Sequence, residues 1–218
     1  MNEVYTIGHS SYKQEYLLTL LNKYDINCVV DVRSVPFSKY AHQYNKDEIK
    51  KFLHEKGIQY IFMGKELGAR REDMTLYESD GILNFEKVSK TMSFISGIER
   101  IKTGIEKGYH IAIMCTEKDP MDCHRNILVA RQLYKQKYCV KNILENGNLE
   151  SQEHLEQRLL DLYFPDRNQC MIFDLARTEC DSSSLIEKAY ELRNKDIGFN
   201  KNNKQEKILD GDIYHRVY

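Results

Sequence analysis

The sequence predicts a three-layer α/β fold: a mostly parallel sheet of about five strands with helices on both faces, and the C-terminal helices packed on it. Short, nearly continuous apolar runs alternate along the chain with segments whose apolar residues recur at helical spacing. Apolar runs of this kind are typical of strands buried on both faces, and strands separated by helices pair in parallel through right-handed crossovers. The predicted strands are residues 4–8, 27–33, 58–63, 109–115 and 139–144.

Helices are predicted in the intervening segments. The first lies within residues 9–26, where Ser11 and Gln14 fit a capping box. The second covers 45–57, with Asn45 as its cap and Gly57 as its terminator. The segment 64–84 has two clusters of charged residues and three glycines, which predicts a long loop. This loop is a candidate lid, whose Arg70 and Arg71 could close on an anion. Further helices are predicted at about 85–107, 119–137, 149–164 and 181–196.

The 218 residues predict one domain over residues 1–200 and a flexible polar tail over 201–218. The formal net charge of −1 does not support nucleic-acid binding, since phosphate contacts require a basic surface. A local basic patch is still compatible with this net charge. No signal peptide and no long apolar run are present, so we expect a cytoplasmic protein without membrane contact. In that compartment the six cysteines (28, 115, 123, 139, 170 and 180) should be mostly reduced.

Polar, titratable residues follow three of the predicted strands. In open α/β sheets, ligands bind at the carboxyl ends of the strands, so these residues could converge on one cleft. The first strand ends in Gly8-His9-Ser10 and the second in Asp31-Val32-Arg33, followed by Ser38; the fourth ends in Cys115, followed by Glu117 and then Cys123-His124-Arg125.

The first two strand ends each allow a structural and a functional interpretation. Gly8-His9-Ser10 fits a tight turn with a helix cap, or an anion cradle of backbone N–H groups with His9 as acid, base or donor. Asp31 and Arg33 lie on the same side of a strand and could simply pair. Alternatively, Arg33 clamps an anionic group while Asp31 orients it.

The stretch 114–126 allows four interpretations. Asp119 or Asp122 could cap a helix beside a buried Cys115 thiol, or Cys115 could be a nucleophilic thiolate near His124 and Arg125. Arg125 and the helix start could hold a phosphate or carboxylate, with Glu117 as acid or base. Cys115, Cys123 and His124, with His9 as a fourth ligand, could bind zinc, but their spacing is unlike that of usual zinc sites, so no metal is predicted.

Aromatic residues offer one further indication of a ligand. The chain has fifteen tyrosines and no tryptophan. Tyr40, Tyr44 and Tyr77 fall in predicted loops and could stack on a base or sugar, whereas most tyrosines are half-buried packing residues.

Four motifs occur in a characteristic order: TIGHS, VVDVRSVPFS, GIQYIFMGKELG and MCTEKDPMDCHR. Together they make the chain resemble the microbial family named domain of unknown function 488, over about residues 4–199. Members commonly have two glycines where this chain has Gly68-Ala69. The resemblance implies a fold and a set of positions but no reaction. The matching positions are Gly8, His9, Ser10, Asp31, Arg33, Pro36, Ser38, Leu67, Gly68, Cys115, Glu117, Cys123, His124 and Arg125.

A weaker similarity links the chain to rhodanese-like sulfurtransferases. VVDVR is followed later by an apolar strand that ends in a cysteine and by a helix that starts near an arginine. Rhodanese-type loops place that arginine a few residues after the cysteine, whereas Arg125 comes ten residues after Cys115. The similarity implies persulfide chemistry as an alternative function.

The predicted function is binding, with or without turnover, of a small anionic ligand of nucleotide or phosphorylated type, without a cofactor. The alternatives are a cysteine-dependent sulfurtransferase or persulfide enzyme, and a non-catalytic module that contacts protein or nucleic acid. The sequence does not define an oligomeric state. The predicted catalytic residues are His9, Cys115 and Glu117, and the predicted ligand-binding residues are Gly8, Ser10, Asp31, Arg33, Ser38, Gly68, Cys123, His124 and Arg125.

Overall fold

A six-stranded sheet forms the centre of the computed structural model, which describes residues 2–167 and 182–202. The strand order is β3-β2-β4-β1-β5-β6; β1 to β5 are parallel, and β6 is antiparallel to β5. This confirms the predicted mostly parallel α/β sheet. The strands are β1 (Glu3–Gly8), β2 (Cys28–Asp31), β3 (Gln59–Phe62), β4 (Ile111–Cys115), β5 (Cys139–Ile143) and β6 (Leu149–Ser151).

Helices cover both faces of the sheet, as predicted for three layers. On one face, α1 and α2 bury leucines and isoleucines such as Leu17 and Ile49 against Ile7, Val29 and Met114. The opposite face packs against α5, α7, α8 and a π-helix over Arg125–Ala130. The α-helices are α1 (Gln14–Lys23), α2 (Lys46–Glu55), α3 (Gly64–Leu67), α4 (Phe85–Ser89), α5 (Met92–Glu106), α6 (Arg131–Lys135), α7 (Gln152–Tyr163) and α8 (Ser182–Ile197).

Several helix ends differ from the prediction because local hydrogen bonds set them. The Ser11–Gln14 capping box is wrong: α1 begins after Lys13, which makes no side-chain cap bond. The predicted helix 85–107 is divided in two, since the Thr91 hydroxyl accepts from the Phe94 N–H and starts α5 afresh. Gly57 does end α2 as predicted, in the left-handed conformation at φ +75°.

Two further segments depart from the prediction. Residues 149–151 were predicted as the start of a helix, but they form β6, and the Ser151 hydroxyl then caps α7 by accepting from the His154 N–H. The segment 64–84 is not a loose loop, because Leu67, Leu76 and Leu83 are buried in the core beside α3 and a 3₁₀ turn. Arg71 donates to backbone carbonyls of its own segment.

Strands β1 and β4 lie side by side at the centre, with Gly8 in register with Cys115. The connection from β1 leads to β2, beyond β4, while the connection from β4 leads to β5, beyond β1. The two connections therefore leave in opposite directions. Such a switch in strand order opens a crevice at the carboxyl ends, where ligands bind in open α/β sheets.

A buried network of amide side chains joins the sheet to the helices. Asn126 in the π-helix donates to Asn142 on β5 at 2.8 Å and to Gln152 on α7 at 2.9 Å. Gln152 in turn donates to Asn126 at 3.0 Å and to the Tyr190 hydroxyl on α8 at 2.8 Å. Thr6 on β1 donates to Asn142 at 2.7 Å. Because buried amides need partners, this network fixes how α7, α8 and the π-helix sit on the sheet.

Some predictions fall outside residues 2–167 and 182–202. Cys170, Cys180 and the tail from residue 203 onward are among them. Within the described ranges, every helix is too short or too polar to cross a bilayer.

Replacing Asn126 with Ala should lower the free energy of unfolding by about 2 kcal/mol, because the buried Gln152 Oε1 would lose its donor and Asn142 Oδ1 would keep only Thr6. Urea unfolding followed by circular dichroism measures this. The control is Thr19→Ala on the exposed side of α1. A loss for Asn126→Ala no larger than that of the control would contradict a structural role for the network.

Candidate functional site

The loop after β4 lies directly across the end of β1 at Gly8. A Cβ atom on Gly8 would stand 1.7 Å from the Glu117 carbonyl oxygen, so only glycine permits this approach. The glycine of the TIGHS motif is thus explained by close packing of two backbone segments. This contact sets the position of Glu117 at the switch point.

Backbone amides at the same turn are already paired. The N–H of His9 donates to the Cys115 carbonyl at 2.9 Å, and the N–H of Ser10 donates to the Thr116 carbonyl at 2.8 Å. Helix α1 starts only at Gln14. These two amides therefore do not form the predicted anion cradle; they attach the loop after β4 to the end of β1.

Asp31 and Arg33 form a buried ion pair, the structural interpretation of this strand end. The Arg33 guanidinium donates to the Asp31 carboxylate through Nε at 2.9 Å and Nη2 at 2.6 Å. Its Nη2 also donates to the Tyr44 carbonyl at 2.9 Å, and the Tyr60 hydroxyl donates to Asp31 at 2.6 Å. The guanidinium of Arg33 is thus bound to groups of the protein and is not available to clamp a ligand.

His9 is held as a neutral acceptor beside this pair. The Ser10 carbonyl can only accept, so the contact with Nδ1 at 2.7 Å places the hydrogen there, and Nε2 accepts from Arg33 Nη1 at 3.0 Å. The ring stacks on Tyr44 with 4.0 Å between centroids. Burial and the Arg33 charge lower the pKa of His9 to about 3. This geometry gives His9 a positioning role, instead of the predicted proton transfer.

Ser38 and Gly68 shape the neighbouring loops. The Ser38 hydroxyl accepts from the N–H groups of Tyr40 and Ala41, both at 3.1 Å. A Cβ on Gly68 would lie 2.4 Å from the Ser34 hydroxyl, so glycine lets these two segments touch. The contacts of both residues hold loops together at the edge of the sheet.

Cys115, Cys123 and His124 form a compact group, here called the Cys–His cluster. Their ligand atoms all lie within 4.8 Å of one another, and Cys115 Sγ is 3.7 Å from His124 Nδ1. Both thiols are buried. His124 Nε2 lies 3.0 Å from the Val32 carbonyl, which accepts its hydrogen and leaves Nδ1 free to bind the sulfur's hydrogen or a metal.

The donors of the cluster suit zinc, and one of its three interatomic distances matches a zinc site. Zinc binds cysteine sulfur at about 2.3 Å and histidine nitrogen at about 2.0–2.1 Å, so sulfur and nitrogen ligands of a tetrahedral ion lie roughly 3.6 Å apart. The 3.7 Å between Cys115 Sγ and His124 Nδ1 matches that edge. A histidine ligand whose other nitrogen donates to a backbone carbonyl is also usual around metals. His9 lies outside this group.

Glu117 reaches the cluster from the solvent side. Its Oε2 accepts from Cys123 Sγ at 2.8 Å, although the residue as a whole is exposed. The protein surrounding the carboxylate and the charge of Cys123 raise the pKa of Glu117 to about 7. Two anions cannot share so short a contact, so one proton is held between Glu117 and Cys123.

Without a metal, the two thiols differ in character. Burial and the neighbouring Cys123 raise the pKa of Cys115 well above its ordinary value. Burial also raises the pKa of Cys123, but other groups have a larger, opposite effect. A hydrogen bond from Cys115 and the charges of Arg125 and His124 bring the pKa of Cys123 well below its usual range. These pKa shifts favour Cys123, instead of the predicted Cys115, as the thiol that ionises more readily.

Arg125 is fully buried and holds the loop that carries Glu117. Its Nη1 donates to the Glu117 carbonyl at 2.6 Å and its Nη2 to the Lys118 carbonyl at 3.0 Å. Among the described residues, no carboxylate forms an ion pair with it, and its Nε has no hydrogen-bond partner. A buried cation needs nearby negative charge, which the cluster can supply. Arg125 is thus a support of the site and not the predicted external clamp.

Comparison with known proteins identifies a family but no close relative. The model of the family described as domain of unknown function DUF488 matches residues 13–132. This stretch includes the Cys–His cluster, Glu117 and Arg125, but not Gly8 to Ser10. No curated protein and no solved structure matches the chain significantly.

Gly8→Ala should displace the loop after β4 and destabilise the fold by roughly 1–3 kcal/mol, since the added methyl group meets a fixed backbone carbonyl. Thermal or urea unfolding measures the loss. In the control, Gly104→Ala in α5, the new Cβ would meet only the end of the Ile111 side chain. Equal stability of the two variants would show that the close approach at Gly8 is not a constraint.

The buried neutral His9 should make the protein less stable in acid. The unfolded chain takes up a proton near pH 6.5, whereas folded His9 does so only near pH 3, so the free energy of unfolding falls as pH decreases between these values. The slope attributable to His9 approaches about 1.4 kcal/mol per pH unit.

Urea unfolding at a series of pH values, compared with His9→Gln, isolates this dependence. His9→Gln should flatten the slope, and His54→Gln, at an exposed site on α2, is the matched control. An unaltered slope in His9→Gln would show that this histidine is not held neutral.

Proposed function

Because the chain belongs to the family described as domain of unknown function DUF488, whose description names no reaction, we propose a function from the site itself. The protein binds a thiophilic divalent cation, zinc by its donor set, through Cys115, Cys123 and His124. This metal centre processes a small ligand at the carboxyl ends of β1 and β4.

The convergence of three ligand atoms within 4.8 Å carries this proposal. Cys115 ends β4, whereas Cys123 and His124 follow a 3₁₀ turn, Pro120–Asp122, and precede the π-helix. The linear spacing of these residues argued against a metal. Their spatial arrangement supports one, because the turn folds the second cysteine and the histidine back over the end of the strand. π-helical turns are frequent at functional sites.

The number of ligands favours a catalytic over a structural metal site. Structural zinc sites have four protein ligands, whereas catalytic sites have three and keep one position for water or substrate. Among residues 2–167 and 182–202, the cluster supplies three. Glu117, which is exposed as a whole residue, contacts Cys123, so we place the fourth position beside this acid–base group.

A small anionic ligand remains part of the proposal, with a different binding partner. Arg33 is paired with Asp31, and Arg125 donates to two backbone carbonyls, so neither arginine is available as an external clamp. The cation in the cluster attracts an anionic or electron-rich ligand in their place. Ligands of nucleotide type would bring such a group.

The second candidate is metal-free covalent chemistry at Cys123. The observation that favours it is the 2.8 Å contact between Cys123 Sγ and Glu117 Oε2, in which the carboxylate accepts the thiol proton. This moves the persulfide alternative from Cys115 to Cys123.

The protein purified without chelators should contain zinc in a stoichiometric amount, measured by native mass spectrometry and elemental analysis. Cys123→Ser and His124→Asn should lose most of this metal, because each removes one of three ligands. The matched control is Cys139→Ser, which alters an exposed thiol on β5 and should keep the metal.

Circular dichroism should show that each variant is folded before its metal content is compared. A wild-type protein that contains no metal and binds none when titrated with zinc overturns the proposal. Rapid, selective alkylation of Cys123 near pH 6–7 in such a protein would favour the covalent candidate.

A further inference from the structure

Building on the metal site proposed above, we infer the reaction class: hydrolysis of a carbon–nitrogen bond at a trigonal ring carbon. The substrate would be an amino-substituted nitrogen heterocycle of nucleobase type, which loses its amino group as ammonia. Glu117 would serve as the acid–base residue.

The donor set and the position of Glu117 support this reaction class. A zinc ion held by cysteine and histidine, beside a glutamate that is not a ligand, is the arrangement that activates water against C4 of cytosine or C6 of adenine. Here Cys115, Cys123 and His124 form the cluster and Glu117 lies outside it. Its Oε2 lies 2.8 Å from the Cys123 sulfur, across the proton that the two groups share. Zinc would replace that proton on the sulfur, which would free the carboxylate to accept from a water molecule on the ion.

Two residues fix the backbone of Glu117, although the residue as a whole is exposed. Arg125 donates to the Glu117 carbonyl at 2.6 Å, and the missing side chain of Gly8 admits that same carbonyl. A surface glutamate does not ordinarily need a fully buried arginine to hold its backbone. A proton-transfer group does need a fixed position relative to the attacking water.

Exposed apolar side chains lie on the loop that follows β2 at the same edge of the sheet. Phe37 is 56% exposed and Tyr40 is 78% exposed. The loop begins beside the cluster, since the Val32 carbonyl contacts His124 at 3.0 Å. We place these aromatic faces near the cluster, where they would offer stacking surfaces for a planar ring. Tyr44 is buried, so of the two tyrosines near this loop Tyr40 is available for such stacking.

The reaction balances without an oxidant or a reductant. Glu117 takes one proton from the bound water and passes it to the ring nitrogen while the oxygen bonds to the ring carbon. Glu117 then moves the second proton of that water to the amino group. The carbon–nitrogen bond breaks, ammonia leaves with the bonding electron pair, and the ring carbon becomes a carbonyl.

The test incubates the full-length, zinc-containing protein with cytosine, adenine and guanine as free bases, nucleosides and nucleotides. Ammonia release and the ultraviolet shift of the ring report turnover. At least one amino-substituted ring should release ammonia. Glu117→Gln should retain zinc and lose turnover by roughly 10²–10⁴-fold. The control Glu55→Gln, at an exposed position on α2, should match the wild type.

Further substitutions separate binding from chemistry. Phe37→Ala with Tyr40→Ala should raise KM with little change in kcat, because these residues would contact only the ring. Stoichiometric zinc with no ammonia from any compound overturns this inference and leaves the metal site standing. Absence of zinc overturns both. Equal ammonia release by Glu117→Gln and wild type would refute the role of Glu117.

Discussion

The close approach of the loop after β4 to the end of β1 is the constraint on which the site depends. Gly8 admits the Glu117 carbonyl, the amides of His9 and Ser10 attach the same loop, and Arg125 supports it from below. The strand order places the loop after β4 at the switch point, where the connections from β1 and β4 leave in opposite directions. In open α/β sheets this is where ligands bind. The Cys–His cluster lies at the base of that loop because Cys115 ends the strand from which it starts.

Two buried arginines of the site have different partners. Arg33 has a structural role, whereas the charge of Arg125 is available to the reactive groups. Arg33 is neutralised by Asp31 and belongs to the framework with His9 and Tyr44. Arg125 has backbone carbonyls as partners and so leaves a positive charge to be balanced. The neighbouring sulfurs and Glu117 are the groups that can balance it.

The sequence sufficed to predict five strands, most helices and the polar edge, because apolar periodicity and strand-end polarity depend on local residue order. It failed for β6, since three residues show no period, and for the start of α1, where a plausible capping box formed no bond. The pair of Asp31 and Arg33 was one of two interpretations of that strand end. The backbone carbonyls that Arg33 and Arg125 also contact could not be predicted, because they belong to loops whose course the sequence does not give. Spacing rules missed the Cys–His cluster because a 3₁₀ turn and a π-helix, not a common metal-binding loop, bring its atoms together.

Charge balance connects the metal proposal with the role of Glu117. A divalent cation held by two thiolates and a neutral histidine carries no net charge, so the positive charge of Arg125 would be balanced by the Glu117 carboxylate. When Glu117 accepts a proton from water, that balance would be lost unless negative charge develops nearby at the same time. Attack on a trigonal ring carbon produces such charge on the ring nitrogen until the proton from Glu117 reaches it. Arg125 would then keep a negative partner throughout the attack, although it never touches the substrate.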